Sequence, residues 1–535
     1  MLQMSAGGFN AKKILGIYSI KQYGALGDGI ADDTAAIQAT IDAVEAMGEG
    51  VVFIPAGTYL ISSPLTFGSN IRIQGIGNSS ILKNKAGRTD PPGTILYHLF
   101  EPNAPGVSNS GLYDLWLDHN LTAYGELDHS PCISVNKTIN FTISNITFDD
   151  VITMAIWADS FAGATTTGLL VSNCRILKSS MGGLSVFGDI WNTTIVGCVF
   201  SNCKDDAISF SGTFDECSAL TEHPIGITIS GCTITDCNRR NASDSVPHGI
   251  LLFGAEYASI TGVTIDKTLG GLAIFGISAA RRTTHVSMSG CTIRRSGDTP
   301  DSIVGVPTSG IRIGYADDIT IGDCGSFGSI GGNGIEVIDS NRIALSNLSL
   351  SGNYYCGASI ANVMDGTINS CLILDNGDTG ANPWGILLDA GTAPSINWII
   401  SGNRIGNSVA GIPSYSTTHG IYMVASGIAN SIVNNNDFTG IPAGQAFGGV
   451  WGTGMIVHNN TGYVTRNYNA APTINDGGTI AHGLAATPLR ANVTASVAGE
   501  MASVTLLDAT NITVAIKKHD GTGGTQQTIY WEAEV

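Results

Sequence analysis

Charge is scarce in this sequence. Asp, Glu, Lys and Arg make up 13% of its 535 residues, about half the ~25% usual for a soluble domain. The balance is acidic: 25 Lys and Arg against 43 Asp and Glu leave a formal charge of -18. No cationic excess exists to release phosphate counterions, which argues against a nucleic-acid partner. An acidic polysaccharide needs only a local cationic pocket and stays open. Long apolar runs are missing too. No stretch approaches the ~18 residues of a membrane span, and MLQMSAGGFNAKKILGIYS holds no signal-peptide h-region. The expectation is a soluble, leaderless chain with no membrane partner, whose extracellular role would need another route of exit.

The 11 cysteines are an odd number, and no CxxC pair occurs among them. A secreted disulfide scaffold or a zinc site is not indicated. Free, buried thiols fit, and no metal or cofactor is expected.

Glycine is abundant instead, at 69 residues, and the chain repeats itself. One phrase recurs: a small residue, then Gly, Cys or Asn, any residue, and Ile or Phe. It reads SNITF at Ser144–Phe148, NCRI at Asn173–Ile176, and SGCTI at both Ser230–Ile234 and Ser289–Ile293. The phrase defines a column at Asn145, Cys174, Cys198, Cys232, Val263, Cys291, Cys324, Asn347, Cys371, Asn403 and Asn436, spaced by roughly 29 residues. A second column, Gly-Ile-x-aliphatic, follows each phrase at Gly183, Ala207, Gly249, Gly271, Gly310, Gly334, Gly385 and Gly420.

Apolar residues alternate within each short segment, so one face of a strand is buried. Helical periodicity is absent, which excludes helix-pair solenoids. Two short strands per repeat, always at the same phase, describe a coil. The fold class expected is all-β, a right-handed parallel β-helix. Its cysteines and asparagines would stack inside as ladders.

The ends differ. Tyr23-Gly-Ala-Leu-Gly-Asp-Gly-Ile-Ala-Asp-Asp-Thr-Ala-Ala-Ile-Gln38 precedes an apolar-periodic stretch with Ile37, Ile41 and Val44 on one face. Asp32 or Asp33 can cap that helix. Val51-Val-Phe-Ile-Pro-Ala-Gly-Thr-Tyr59 follows as a strand and turn. Three regions result: an N-terminal cap and leading segment at 1–60, the β-helix at 61–465, and a small antiparallel β module at 466–535.

The stretch Tyr23–Tyr59 resembles the opening of the pectate-lyase-like β-helix superfamily, which includes polysaccharide hydrolases and lyases and the tailspikes and depolymerases of bacteriophages. The resemblance implies a depolymerase that acts on a bacterial surface or acidic polysaccharide, assembles as a homotrimer and sits on a virion tail or outside the cell. It also implies that the C-terminal module trimerises the chain or binds glycan. A polysaccharide lyase and a non-catalytic glycan-binding tail protein or adhesin are the alternatives.

Hydrolysis of a polymer needs two carboxylates, one protonated and one ionised. Lys204-Asp205-Asp206 and, one coil later, Pro247-His248-Gly249 both stand before the Gly-Ile column, so Asp206 and His248 are expected to stack. Ser309-Gly-Ile-Arg312 adds a cation further on. The order is similar to that of polygalacturonases. That resemblance implies Asp205 as general acid, Asp206 activating water, His248 supporting the acid and Arg312 binding a uronate carboxylate. The pattern departs where Ser180-Met181-Gly182 replaces Asn-Thr-Asp and Gly314 replaces Lys. Glu336, beside Arg312, and Asp159 and Asp189, which end strands on earlier coils, complete the candidate substrate-binding carboxylates. Trp157, Trp384, Tyr422 and Trp451 are candidates for stacking on sugar rings. Asp215, Glu216 and the His119–His129 loop are weaker candidates.

Overall fold

The computed structural model describes residues 16–535 except 88–97, 126–129, 161–164, 213–222, 238–245, 299–307, 379–382, 392, 409–414, 425–427, 443, 451 and 485. The chain divides into two compact units, Met1–Ser340 and Asn341–Val535.

The first unit opens on the expected helix, Thr34–Glu45, with Ile37, Ile41 and Val44 at 0% exposure. Of the two capping candidates, Asp32 does the work: its Oδ1 accepts from Thr34 N at 3.1 Å and Thr34 Oγ1 at 2.6 Å. Asp33 turns the other way and accepts from Leu26 N and Gly27 N, tying the Gly-Asp-Gly turn to the helix. Gly27 has φ +62° and lies under Tyr59, whose ring is 2.5 Å from where a Cβ would be. The Gly of the first motif and the Tyr of the second therefore form one contact.

Beyond this cap, each coil contributes a strand to each of three parallel sheets, not the two strands expected. Thr142–Ser144, Leu170–Ser172 and Ile190–Val196 represent the first sheet. Thr147–Asp149, Arg175–Ile176 and Val199–Ser201 represent the second. Ile156–Ser160, Leu184–Gly188, Ile208–Ser211, His248–Phe253, Gly270–Phe275, Ile311–Gly314 and Ile335–Ile338 follow one another in the third.

The extra strand is hidden inside the phrase. Asn145, Asn173, Gly197, Gly231, Gly262 and Gly290 all have φ between 52° and 65°, the left-handed bend that Asn and Gly tolerate best. That single residue breaks one apparent strand into two and turns the chain from the first sheet to the second.

This bend corrects the expected buried column at two places. Asn145 and Asn347 are exposed bend residues, and the buried positions belong to Ile146 and Leu348. The rest of the column is interior. Cys174 N donates to Cys198 Sγ and Cys291 N to Cys324 Sγ, both at 3.4 Å. The ten described cysteines are buried and form no disulfide among the described residues.

The second unit repeats the coil, with Asn341–Ser346 and Met364–Asn369, Ser349–Ser351 and Leu372–Leu374, and Ala358–Ala361 and Trp384–Asp389 as its paired strands. Its interior column is an amide ladder. Asn403 N donates to Asn436 Oδ1 at 3.0 Å, and Asn436 N to Asn460 Oδ1 at 2.9 Å. Near the C-terminus the sheets are antiparallel, as the fold class leads one to expect. Gln527–Glu534 lies between Arg466–Ile474 and Arg490–Ala495, and Asn511–Lys518 between Thr479–Ala481 and Glu500–Leu507. Ile512, Val514, Ile516, Ile529 and Trp531 fill the core of this module.

Candidate active site

The expected stacking of Asp206 and His248 is present. Asp206 Oδ1 accepts the His248 backbone N–H at 2.6 Å and lies 3.4 Å from His248 Nδ1. The imidazole, however, is closed in. His248 is 8% exposed, and its Cδ2 is 2.5 Å from where a Gly270 Cβ would be. Neither ring nitrogen is hydrogen-bonded among the described residues. The carboxylate of Asp206 thus anchors the start of strand His248–Phe253, while Asp205 beside it is half-buried.

Arg312 and Glu336 face each other in register, with Nε 2.7 Å from Oε2. The guanidinium sits 5.2 Å from the Phe275 ring centroid. Along the third sheet Arg312 aligns with Ala273, which aligns with Leu251. It therefore stands two coils beyond His248 and three residues further along the strand, committed to Glu336.

Asp189 accepts the His223 backbone N–H at 3.1 Å. Trp384 and Tyr422 stack on each other, centroids 4.1 Å apart and 2° from parallel. His119 is fully buried, and its Nδ1 accepts from Ile152 N. Glu126, Asp128, His129, Asp215, Glu216 and Trp451 lie outside the described residues.

The remaining pair, Trp157 and Asp159, opens on a cavity. In Ile156–Ser160 the alternation buries Ile156 and Ala158 inside the coil, so Trp157 and Asp159 project outward. Register places Ile133 beside Ile156 and Phe100 beside Ile133. Glu101, Ser134 and Trp157 therefore form one outward column over three consecutive coils.

A cavity of about 290 Å³ is lined by His98, Glu101, Pro131, Ser134, Asn136, Trp157 and Asp159. A neighbouring recess of about 530 Å³ shares Glu101, Ser134, Asn136 and Asp159 and adds Lys137. Within this space the Trp157 indole N–H donates to Asp159 Oδ2 at 3.0 Å, and Asn136 Oδ1 accepts from Asp159 N at 3.0 Å. His98 Nδ1 lies 3.2 Å from Glu101 Oε2. Burial pushes the Asp159 carboxyl above the ordinary carboxylate range, against the opposing pull of the indole N–H and the Lys137 charge.

Two carboxylates facing one cavity, one of them biased toward its protonated form, are what acid–base cleavage of a polymer requires. Glu101, His98 and Lys137 escaped the sequence reading because they precede the first coil phrase at Ser144. Reading the third-sheet column backwards from Gly183 would have placed Ala155-Ile156, Cys132-Ile133 and Leu99-Phe100 in phase.

Known proteins match different parts of the chain. Residues 17–94 match the family described as rhamnogalacturonase A/epimerase, pectate lyase-like, and residues 276–468 the right-handed beta helix region. Mannuronan C5-epimerase AlgE1 of Azotobacter vinelandii is 41% identical over 111 residues, which is 19% of this chain and 8% of that protein. The chain thus spans a small part of the curated relative. Among solved structures, the surface protein and adhesin PfbA of Streptococcus pneumoniae superposes with a TM-score of 0.52 at 19% identity, over 66% of this chain and 95% of that one. The tailspike protein of E. coli bacteriophage HK620, in complex with a hexasaccharide, gives 0.51 at 11% identity, over 98% and 94% of the two chains. At these identities the likeness is one of fold. Together with the three-sheet coil, the matches identify the fold as a right-handed parallel β-helix, with residues 17–94 similar to the pectate-lyase-like family model.

Proposed function

We propose that this protein is a polysaccharide depolymerase of the tailspike type, cleaving glycosidic bonds of a bacterial surface or acidic polysaccharide by hydrolysis at the Glu101–Asp159 cavity. The observation that carries this reading is the pair of carboxylates lining one cavity, with Asp159 held toward its protonated form. Asp159 is the general acid that protonates the leaving oxygen. Glu101, beside His98, activates the attacking water. Glu101 and Asp159 stand two coils apart, roughly 10 Å along the coil axis, and both side chains line the cavity. The match to a mannuronan epimerase over part of the chain supports a polysaccharide substrate.

A second reading follows from Lys137. A cation beside Asp159 suits neutralisation of a uronate carboxylate, after which a base removes the adjacent proton and the bond breaks by β-elimination. The Asp205–Asp206–His248 group, with Arg312 and Glu336, is the alternative site. Its support is the Asp206–His248 contact. As a depolymerase of this type the chain would work as a homotrimer on a virion tail or outside the cell. The apolar surface of the C-terminal module, with Leu489 87%, Met501 67% and Tyr468 76% exposed, suits a subunit contact.

The test is a panel of acidic and neutral polysaccharides followed by reducing-end release and by ultraviolet absorbance. Reducing ends alone, lost in Asp159→Asn and kept in Asp206→Asn, support hydrolysis at the proposed cavity. New absorbance selects elimination. Binding with neither signal selects the glycan-binding tail protein or adhesin.

A further inference from the structure

On consecutive coils past Asp159, the turn from the third sheet to the first carries two features that neither the cavity nor the core uses. Thr167, on the coil of Asp159, is in register with Trp191. Trp191 is 44% exposed, an indole left facing water. The register continues through Ile225, Glu256, Thr284 and Asp317. Glu256, Thr284 and Asp317, with His223, Arg281 and Arg282, border a recess of about 330 Å³.

This recess is held in shape by its own contacts. Arg282 Nη2 lies 2.9 Å from Asp317 Oδ1 and donates to Asp339 O at 2.6 Å. Glu256 Oε1 lies 3.4 Å from His223 Nε2, and Asp189 fixes the His223 backbone. Arg282 Nε is buried with no hydrogen-bond partner among the described residues. An exposed indole beside a polar recess matches a sugar ring, which is apolar on its C–H face and polar at its edge. A sugar suits both features: its C–H face stacks on the indole, and its hydroxyls meet Thr284 and Glu256 on the wall of the recess.

We propose that Trp191 and the His223–Glu256–Arg282 recess form a subsite that grips the polysaccharide beyond the sugars flanking the bond cut at Asp159, Trp191 at its near end and the recess at its far end. This rests on the depolymerase reading above. The recess spans the second to fifth coils beyond Asp159, roughly 10–24 Å at the strand spacing. An oligosaccharide bridges that span and a disaccharide does not, so the subsite selects for chain length.

The test uses the full chain, as Asp159→Asn and as Asp159→Asn combined with Trp191→Ala or Glu256→Gln. Mannuronan, polygalacturonate, dextran and oligosaccharides prepared from each are the probes, with affinity read by calorimetry. The expected result is a loss of about tenfold in affinity for the polymer and for long oligosaccharides, shrinking steadily as the probe shortens. Equal losses at every length, no loss at any length, or no binding of any probe overturns the subsite. The depolymerase reading fails by a different outcome, when Asp159→Asn cuts as fast as the unaltered chain. The length-dependent loss of binding is still read in that case.

Discussion

The indole nitrogen of Trp157 and the carboxylate of Asp159 are 3.0 Å apart, two residues along one strand, on the face that borders the candidate cavity. The indole hydrogen bond favours the ionised carboxylate, whereas burial favours the protonated one, and burial prevails.

Removing the indole donor should therefore raise the Asp159 pKa further. A general acid works while protonated, so the alkaline limb of the pH–rate profile for kcat/KM should move to higher pH in Trp157→Phe, and in the same direction in Lys137→Met. Asp159→Asn should lose roughly a hundredfold to ten-thousandfold in kcat. An alkaline limb that stays in place in both variants would exclude Asp159 as the acid.

Asp206 is expected to matter for stability more than for turnover. Asp206→Ala removes the acceptor of the His248 backbone N–H, a loss of about 1–3 kcal/mol for a charge-assisted bond at a largely buried site. Urea unfolding measures it. Asp205→Asn, half-buried beside it, should keep activity within about twofold.

Asp32 links the cap to pH. Hydrogen bonds from Ser62 and Thr34, with Lys85 beyond them, outweigh its partial burial and lower its pKa to about 2. A depressed carboxylate stabilises the fold above the unfolded value near 4 and loses that contribution as pH falls toward 2. The Asp32 side chain is 34% exposed, so after discounting for screening the effect is about 1 kcal/mol. Thermal unfolding of Asp32→Asn should lie below the unaltered chain at pH 6 and converge with it near pH 2.

The amide ladder of the second unit makes a fourth prediction. Asn403 Nδ2 donates to Ile368 O at 2.8 Å and to Asn436 Oδ1 at 2.9 Å, inside the coil. Asn403→Leu strands those acceptors and should cost about 2 kcal/mol or more. Hydrogen exchange of the Asn403 and Asn436 amides locates the damage.

Much of the fold was legible because its causes are local. The helix face Ile37, Ile41 and Val44 follows from periodicity, and the coil follows from a phrase that repeats at one phase. Reading slipped where one residue type serves two purposes. Asn suits both the left-handed bend and the interior ladder, so the phrase alone places Asn145 and Asn347 inside, whereas Ile146 and Leu348 hold those places. The same bend concealed a third strand in every repeat.

The site was legible only in part. Asp206 and His248 precede consecutive third-sheet strands, and adjacency in the column determined their contact. Whether that contact is open was a matter of packing: the next coil lays Gly270 against the imidazole and closes it. Glu101 and Asp159 are 58 positions apart, in segments without a shared motif, and meet because two coils of intervening chain return to the same sheet. Composition and periodicity determined that this chain winds into a coil with a polar, acidic surface. Only the tertiary register, which sets the residues that become neighbours on successive coils and the side chains that reach solvent, decided where its carboxylates converge.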